Sequence, residues 1–127
     1  SSTVAVNITS TTDVQNLTDA LDCTGEGSFD ITWYPSVTIV QRIEVSNKKS
    51  VTVTGIDLPS IRGKLADDNG ADAIADAAAG LFSVTNGSTL SLNNLVLEGG
   101  KSEYGGAVEV HSSSSLFVFG CSFANNT

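Results

Sequence analysis

Apolar residues recur at spacing two in three segments of the chain, and each segment repeats the others. Arg42 to Leu58 (RIEVSNKKSVTVTGIDL), Leu81 to Leu97 (LFSVTNGSTLSLNNLVL) and Ala107 to Phe123 (AVEVHSSSSLFVFGCSF) align without gaps. Their apolar residues fall in six columns: Ile43/Phe82/Val108, Val45/Val84/Val110, Val51/Leu90/Leu116, Val53/Leu92/Val118, Ile56/Leu95/Cys121 and Leu58/Leu97/Phe123. With 40% of the chain apolar, chance filling of all these positions has a probability on the order of 10⁻⁷, so the repeat is real. Spacing two puts one face of a strand inward and the other toward solvent. The runs between the paired columns, Ser46 to Ser50, Thr85 to Thr89 and His111 to Ser115, read as turns too polar to bury.

A single copy has no means of burying its own apolar face; stacked copies turn the columns into continuous ladders. The offset from Phe82 to Val108 is 26 residues, that from Ile43 to Phe82 is 39, and the extra thirteen must leave the first coil as a loop to keep register. The expected fold is all-β, a parallel β-helix (solenoid) of about three coils over residues 28–127, with an acidic, Ala-rich insertion at about 63–80. Residues 1–27 are read as an N-terminal strand, Thr3 to Thr9, and a capping α-helix, Asp13 to Asp22. For that helix Thr12 is the expected N-cap, with Gln15 reaching back to it, and Gly25 the stop. Val14, Leu17 and Leu21 supply its apolar stripe. Ser28 to Trp33 suits an irregular first turn, with a corner at Tyr34-Pro35; Pro59 follows the last repeat strand of its coil.

Gly105-Gly106-Ala107 followed by Phe123-Ala124-Asn125-Asn126 resembles the GGA…FxxN repeat of the polymorphic outer-membrane-protein families. More broadly, roughly residues 28 to 127 are similar to the right-handed parallel β-helices of the pectin-lyase-like superfamily. The resemblance implies the right hand, in keeping with the usual handedness of parallel crossovers. It also implies, for enzymes of the fold, cleavage of acidic polysaccharides with carboxylates, calcium, Arg or Lys projecting from one sheet. No catalytic signature of such enzymes matches here residue by residue.

Composition narrows the partners. A net charge of −8 with six Lys plus Arg argues against nucleic acid and against anionic membrane surfaces. No apolar run reaches the roughly 20 residues of a membrane span, so no membrane insertion is expected. Ser1-Ser2-Thr3 does not open a signal peptide, so a secreted protein would be in its mature form. Asn7, Asn16, Asn86 and Asn125 head glycosylation sequons, and Asn86 shares a turn column with Asn47, where stacked amides would bond to each other instead. Cys121 sits in an inward column as a small hydrophobe, and a bridge to Cys23 across three layers is not expected.

Chemistry is sparser. Glu44 and Glu109 share one outward column with Ser83 between them, about 9.6 Å apart at the backbone for two rungs, near the spacing of an inverting glycosidase pair. Both are expected on a solvated strand face with no basic residue in their column. His111, the single histidine, is expected on a surface turn, with no second histidine for a metal site or triad. Asp67, Asp68 and Asp72 form an acidic turn that matches no EF-hand spacing, and no metal or other cofactor is expected. Phe117 and Phe119 fall outward on their strand, either exposed as a partner contact or covered by the insertion or flanking loops. The last coil lacks a capping sequence, so self-association or a continuing chain is expected there. These features together point to an extracellular structural module, a building block of a filament, appendage or coat, or an adhesin, more than to an enzyme. The alternative is a module that binds or cleaves a polysaccharide through Glu44 and Glu109.

Overall fold

A computed structural model of the 127-residue chain describes residues 3–23, 27–39, 42–63, 81–99, 107–124 and 126. The chain begins with strand β1 (Thr3–Ile8) and helix α1 (Thr11–Cys23), then winds through strands that fall into three parallel sheets. Sheet A holds β1, β2 (Gly27–Trp33), β5 (Lys49–Gly55), β8 (Thr89–Asn93) and β11 (Ser115–Phe119), in that spatial order. Sheet B stacks β3 (Val37–Ile39), β6 (Ser60–Gly63), β9 (Val96–Glu98) and β12 (Ser122–Ala124). Sheet C stacks β4 (Ile43–Val45), β7 (Phe82–Val84) and β10 (Val108–Val110). The result is a parallel β-solenoid of about three turns with one short helix near its N-terminus.

Four of the six columns stack as the repeat requires. Ile43, Phe82 and Val108 face one another across sheet C, as do Val45, Val84 and Val110. In sheet A, Val51, Leu90 and Leu116 align, as do Val53, Leu92 and Val118. Two further rungs extend these ladders toward the N-terminus. β2 is a regular strand, contrary to the irregular turn expected of it, and places Phe29 and Ile31 over Val51 and Val53. β1 adds Val4 and Val6 on top. The core is this set of apolar ladders, with Trp33, Phe82, Leu90, Leu92, Leu95 and Leu97 all fully buried.

The two remaining columns are corrected in the first coil. Leu97 and Phe123 align with Ile61, not with Leu58. Pro59 O accepts from Val96 N as Leu95 O accepts from Ser122 N, so Pro59, not Ile56, takes the position of Leu95 and Cys121. Ile56 and Leu58 are exposed, and Asp57 and Leu58 have positive φ. Offsets of 39 residues across β4–β7 and β5–β8 drop to 36 across β6–β9, so three of the thirteen extra residues form this corner bulge. The other ten lie between β6 and β7, in a stretch whose residues 64–80 are outside the described ones. Contiguous sequence alignment cannot divide one insertion between two places.

The turns repeat as faithfully as the strands. Asn47 and Lys48, Asn86 and Gly87, and Ser112 and Ser113 each form a pair with positive φ at the corner between sheets C and A. Their backbones interlock along the solenoid, Lys48 N donating to Asn86 O and Gly87 N to Ser112 O. The Asn86 amide reaches Ser46 Oγ at 3.3 Å, so the expected stack of amides between Asn47 and Asn86 is replaced by an amide–hydroxyl bond. Nor are these runs wholly solvated. Lys49 is 1% exposed, and Ser88 is buried beside it. Lys49 opens β5 and Ser88 immediately precedes β8, both with inward parity, and their polar groups are satisfied locally. Lys49 Nζ donates to Ser46 O at 3.0 Å, Lys49 N to Ser88 Oγ and Ser88 N to Ser114 Oγ, each at 3.1 Å. A buried ammonium is tolerable only with such partners.

Helix α1 packs on β1 and β4 and buries Val14, Leu17 and Leu21, the stripe read from the sequence. Its start differs. The helix opens at Thr11, with Ser10 Oγ accepting from Asp13 N at 3.4 Å, so Ser10 is the N-cap in place of Thr12. Asp13 performs the reach back, accepting from Thr9 N at 2.8 Å and Thr9 Oγ1 at 2.7 Å. Gln15 instead donates to Asp19 one turn on, at 3.1 Å. Both Ser10–Asp13 and Thr12–Gln15 fit a capping pattern. The shorter carboxylate, already in reach of two donors, wins.

Candidate functional site

Two surfaces carry the residues singled out by the sequence. The first is the C-terminal end of sheet A. In β11, inward parity belongs to Leu116 and Val118, which forces Phe117 and Phe119 outward. In the neighbouring rung Ser91 and Asn93 occupy those positions, and Thr52 and Thr54 one rung further on. Phe117 is 61% exposed and Phe119 75%, and the insertion expected as their alternative cover lies outside the described residues. β11 is also the edge of its sheet. Val118, Phe123 and Val110 are exposed around it, and Leu116 and Cys121 are only partly buried. The outward aromatics and the exposed inward-column residues of β11 and β12 thus form one apolar surface without a charged side chain in either strand. Cys121 is a free thiol whose Sγ contacts Phe119 O at 3.6 Å.

The second surface is the outer face of sheet C. Glu44, Ser83 and Glu109 share one column, as expected. Their environments differ sharply, however. Glu44 is exposed and forked by Arg42, whose Nη2 lies 2.7 Å and Nε 3.0 Å from Glu44 Oε1. Glu109 is buried, 7% exposed, with Ser83 buried beside it. Its Oε1 lies 2.5 Å from Nε2 of His111, whose imidazole remains about half exposed. The expectation of a solvated face holds for Glu44 and fails for Glu109, which is buried, and each carboxylate has a basic partner from outside their shared column. Arg42 and Glu44 are two apart, as are Glu109 and His111. In a strand that spacing puts side chains on one face, which is the signal that column-by-column reading passes over. The pair is a carboxylate fixing one imidazole nitrogen and leaving the other toward solvent. Ser83 stands between Glu44 and Glu109 in their column, and the two carboxylates are engaged by different bases.

Elsewhere, Asn7 on β1, Asn16 on α1 and Asn86 on its turn are exposed, and Asn125 lies outside the described residues. Thr18, the hydroxyl residue of the Asn16 sequon, is buried and donates to Val14 O at 3.0 Å. Asp67, Asp68 and Asp72 lie outside the described residues, as do Gly105 and Gly106. Among the described residues no three of His, Cys, Asp and Glu come together as a metal site would need, and no helix is long and apolar enough to cross a membrane. No protein-family model, curated protein or solved structure matches this chain.

Proposed function

We propose that the chain is a structural module of an extracellular assembly, a filament, surface appendage, coat or adhesin, built on a right-handed β-helix of the pectin-lyase-like kind. It associates through the β11 face and the last coil. The single observation carrying this reading is the pair Phe117 and Phe119, both more than half exposed on an edge strand with open apolar residues around it. A sheet edge of this composition has none of the usual protections, such as charge, proline or a bulge. Contact aromatics of this size dominate association when buried. The exposed sequon asparagines Asn7, Asn16 and Asn86 suit a secreted surface.

The test is assembly as a function of concentration, followed by sedimentation and electron microscopy. The double variant Phe117→Ser with Phe119→Ser places serines where the adjacent rung carries Ser91 and Asn93, so its fold and melting temperature should be kept. Assembly should weaken at least tenfold, since each phenylalanine contributes roughly 1.5–3 kcal/mol when buried. A wild-type chain that stays monomeric at high concentration would remove the reading.

A further inference from the structure

The corner between sheets C and A carries a different residue pair in each coil, Asn47-Lys48, Asn86-Gly87 and Ser112-Ser113. Only the second combines a side-chain amide with a following glycine. That combination is reactive. The backbone nitrogen of the next residue can attack the asparagine Cγ and close a succinimide ring, and glycine, lacking a Cβ, leaves that nitrogen the least hindered. Asn86 is exposed, so water and hydroxide from solvent reach it.

The fold sets the two reacting groups against each other. Gly87 N donates to Ser112 O at 3.0 Å, toward the following coil. The Asn86 side-chain amide donates to Ser46 Oγ at 3.3 Å, toward the preceding one. Asn86 O is occupied as well, accepting from Lys48 N at 3.1 Å. Nucleophile and electrophile are thus drawn in opposite directions along the solenoid, and both residues are held at positive φ, 56° and 73°. The next peptide is tied to the same neighbour, Ser88 N donating to Ser114 Oγ at 3.1 Å. Of the two bonds that ring closure must break, the one from Gly87 is the shorter and belongs to the interlocked backbone, so its opening is the slower event. The exposed side-chain bond adds a few-fold at most.

We infer that Asn86 is a spontaneous modification site, deamidating through Gly87 N at a rate set by the opening of this corner. Hydroxide removes the Gly87 amide proton, the nitrogen bonds to Asn86 Cγ, and the Cγ–Nδ2 bond breaks with release of ammonia. Water then opens the succinimide at either carbonyl, giving aspartate or isoaspartate; nothing is oxidised or reduced. Aspartate keeps the backbone length. Isoaspartate routes the chain through the side-chain carbon and lengthens the corner, which the fixed register between this coil and the next does not accommodate. Conversion to it is one-way and loosens the two coils from each other.

The full chain is incubated at mildly alkaline pH, folded and in urea, and residue 86 is followed by mass spectrometry of its peptides. Mapping also keeps it apart from Asn69-Gly70, the other such dipeptide in the sequence. Hydrogen exchange of the Gly87 amide is measured on the folded protein under the same conditions. Exchange and ring closure both need Gly87 N free of Ser112 O. The folded chain should therefore deamidate more slowly than the denatured one by the protection factor of that amide, to within about tenfold, with isoaspartate among the products. Equal rates in the folded and denatured chain would overturn the inference, as would a slowing outside that range in either direction. Aspartate without isoaspartate would overturn it too, because direct hydrolysis of the side chain gives aspartate alone.

Discussion

At the scale of single residues, the N-terminus of α1 is the position whose electrostatics are best defined. Thr9 N–H, then Thr9 hydroxyl, hold the Asp13 carboxyl below its ordinary value near 3.8, with Ser10 adding to the effect. These donors also place a negative charge at the positive end of the helix. A carboxylate whose folded pKa is depressed contributes stability above its unfolded pKa and loses it as pH falls through the lower folded value. The first turn of α1 should therefore hold at neutral pH and fray as the solution is acidified below about pH 3.8. Asp13→Asn should fray it at neutral pH and abolish that acid step, both read from hydrogen exchange at the Thr9 and Asp13 amides. If the Asn variant keeps wild-type protection at pH 7, the cap is not electrostatic. Residues of this kind are the least legible in a sequence. Ser10–Asp13 and Thr12–Gln15 compete on equal terms until geometry selects one, and nothing in Lys48-Lys49 says that the second lysine is the buried one. Parity says it: Lys49 lies two residues before Val51 on the inward face, which outweighs its charge once Ser46 O and Ser88 Oγ supply partners.

At the scale of elements, strands were readable because period two survives any loop between them, and corners were not, because their length is free. The columns of sheets A and C follow from residues 43–53, 82–92 and 108–118 without adjustment. The A–B corner of the first coil is where the reading fails, since Ile56 and Leu58 imitate the apolar spacing of Leu95 and Leu97 while occupying a bulge. What anchors the bulge is Gly55, buried opposite Trp33 in the ladder. A Cβ there would sit 2.2 Å from Asn94 O, 2.7 Å from Pro59 Cδ and 2.9 Å from Leu95 Cδ2. A carbonyl oxygen of the next coil cannot rotate aside as a flexible side chain could. Gly55→Ala should consequently cost about 3 kcal/mol, the upper end for overpacking, in chemical denaturation. Gly27→Ala, whose nearest neighbour is a Phe29 ring carbon at 3.9 Å, should cost far less. Equal losses at the two positions would show that Gly55 serves conformational freedom and not close approach between coils.

At the scale of the whole molecule, charge and apolar surface are segregated. Fourteen acidic residues against six basic ones give each copy a net charge of −8, yet both edges of sheet A are neutral. Copies approaching through the β11 face therefore meet a long-range repulsion that is not matched by any ion pair within that strand. The sign of the salt dependence follows. Raising ionic strength from about 0.01 M to about 0.15 M shortens the Debye length from about 30 Å to about 8 Å, which removes repulsion between copies. It leaves strand hydrogen bonds and apolar contacts untouched, since neither depends on counter-ions. The concentration at which assemblies appear should fall several-fold over that range, measured by sedimentation at fixed pH, and the association rate should rise with it. An interface made by the ionic groups of sheet C, Arg42 with Glu44 or Glu109 with His111, would respond in the opposite direction, because salt weakens attraction between exposed charges. Assembly that dissolves on adding salt would thus move the contact away from the β11 face and onto the charged face.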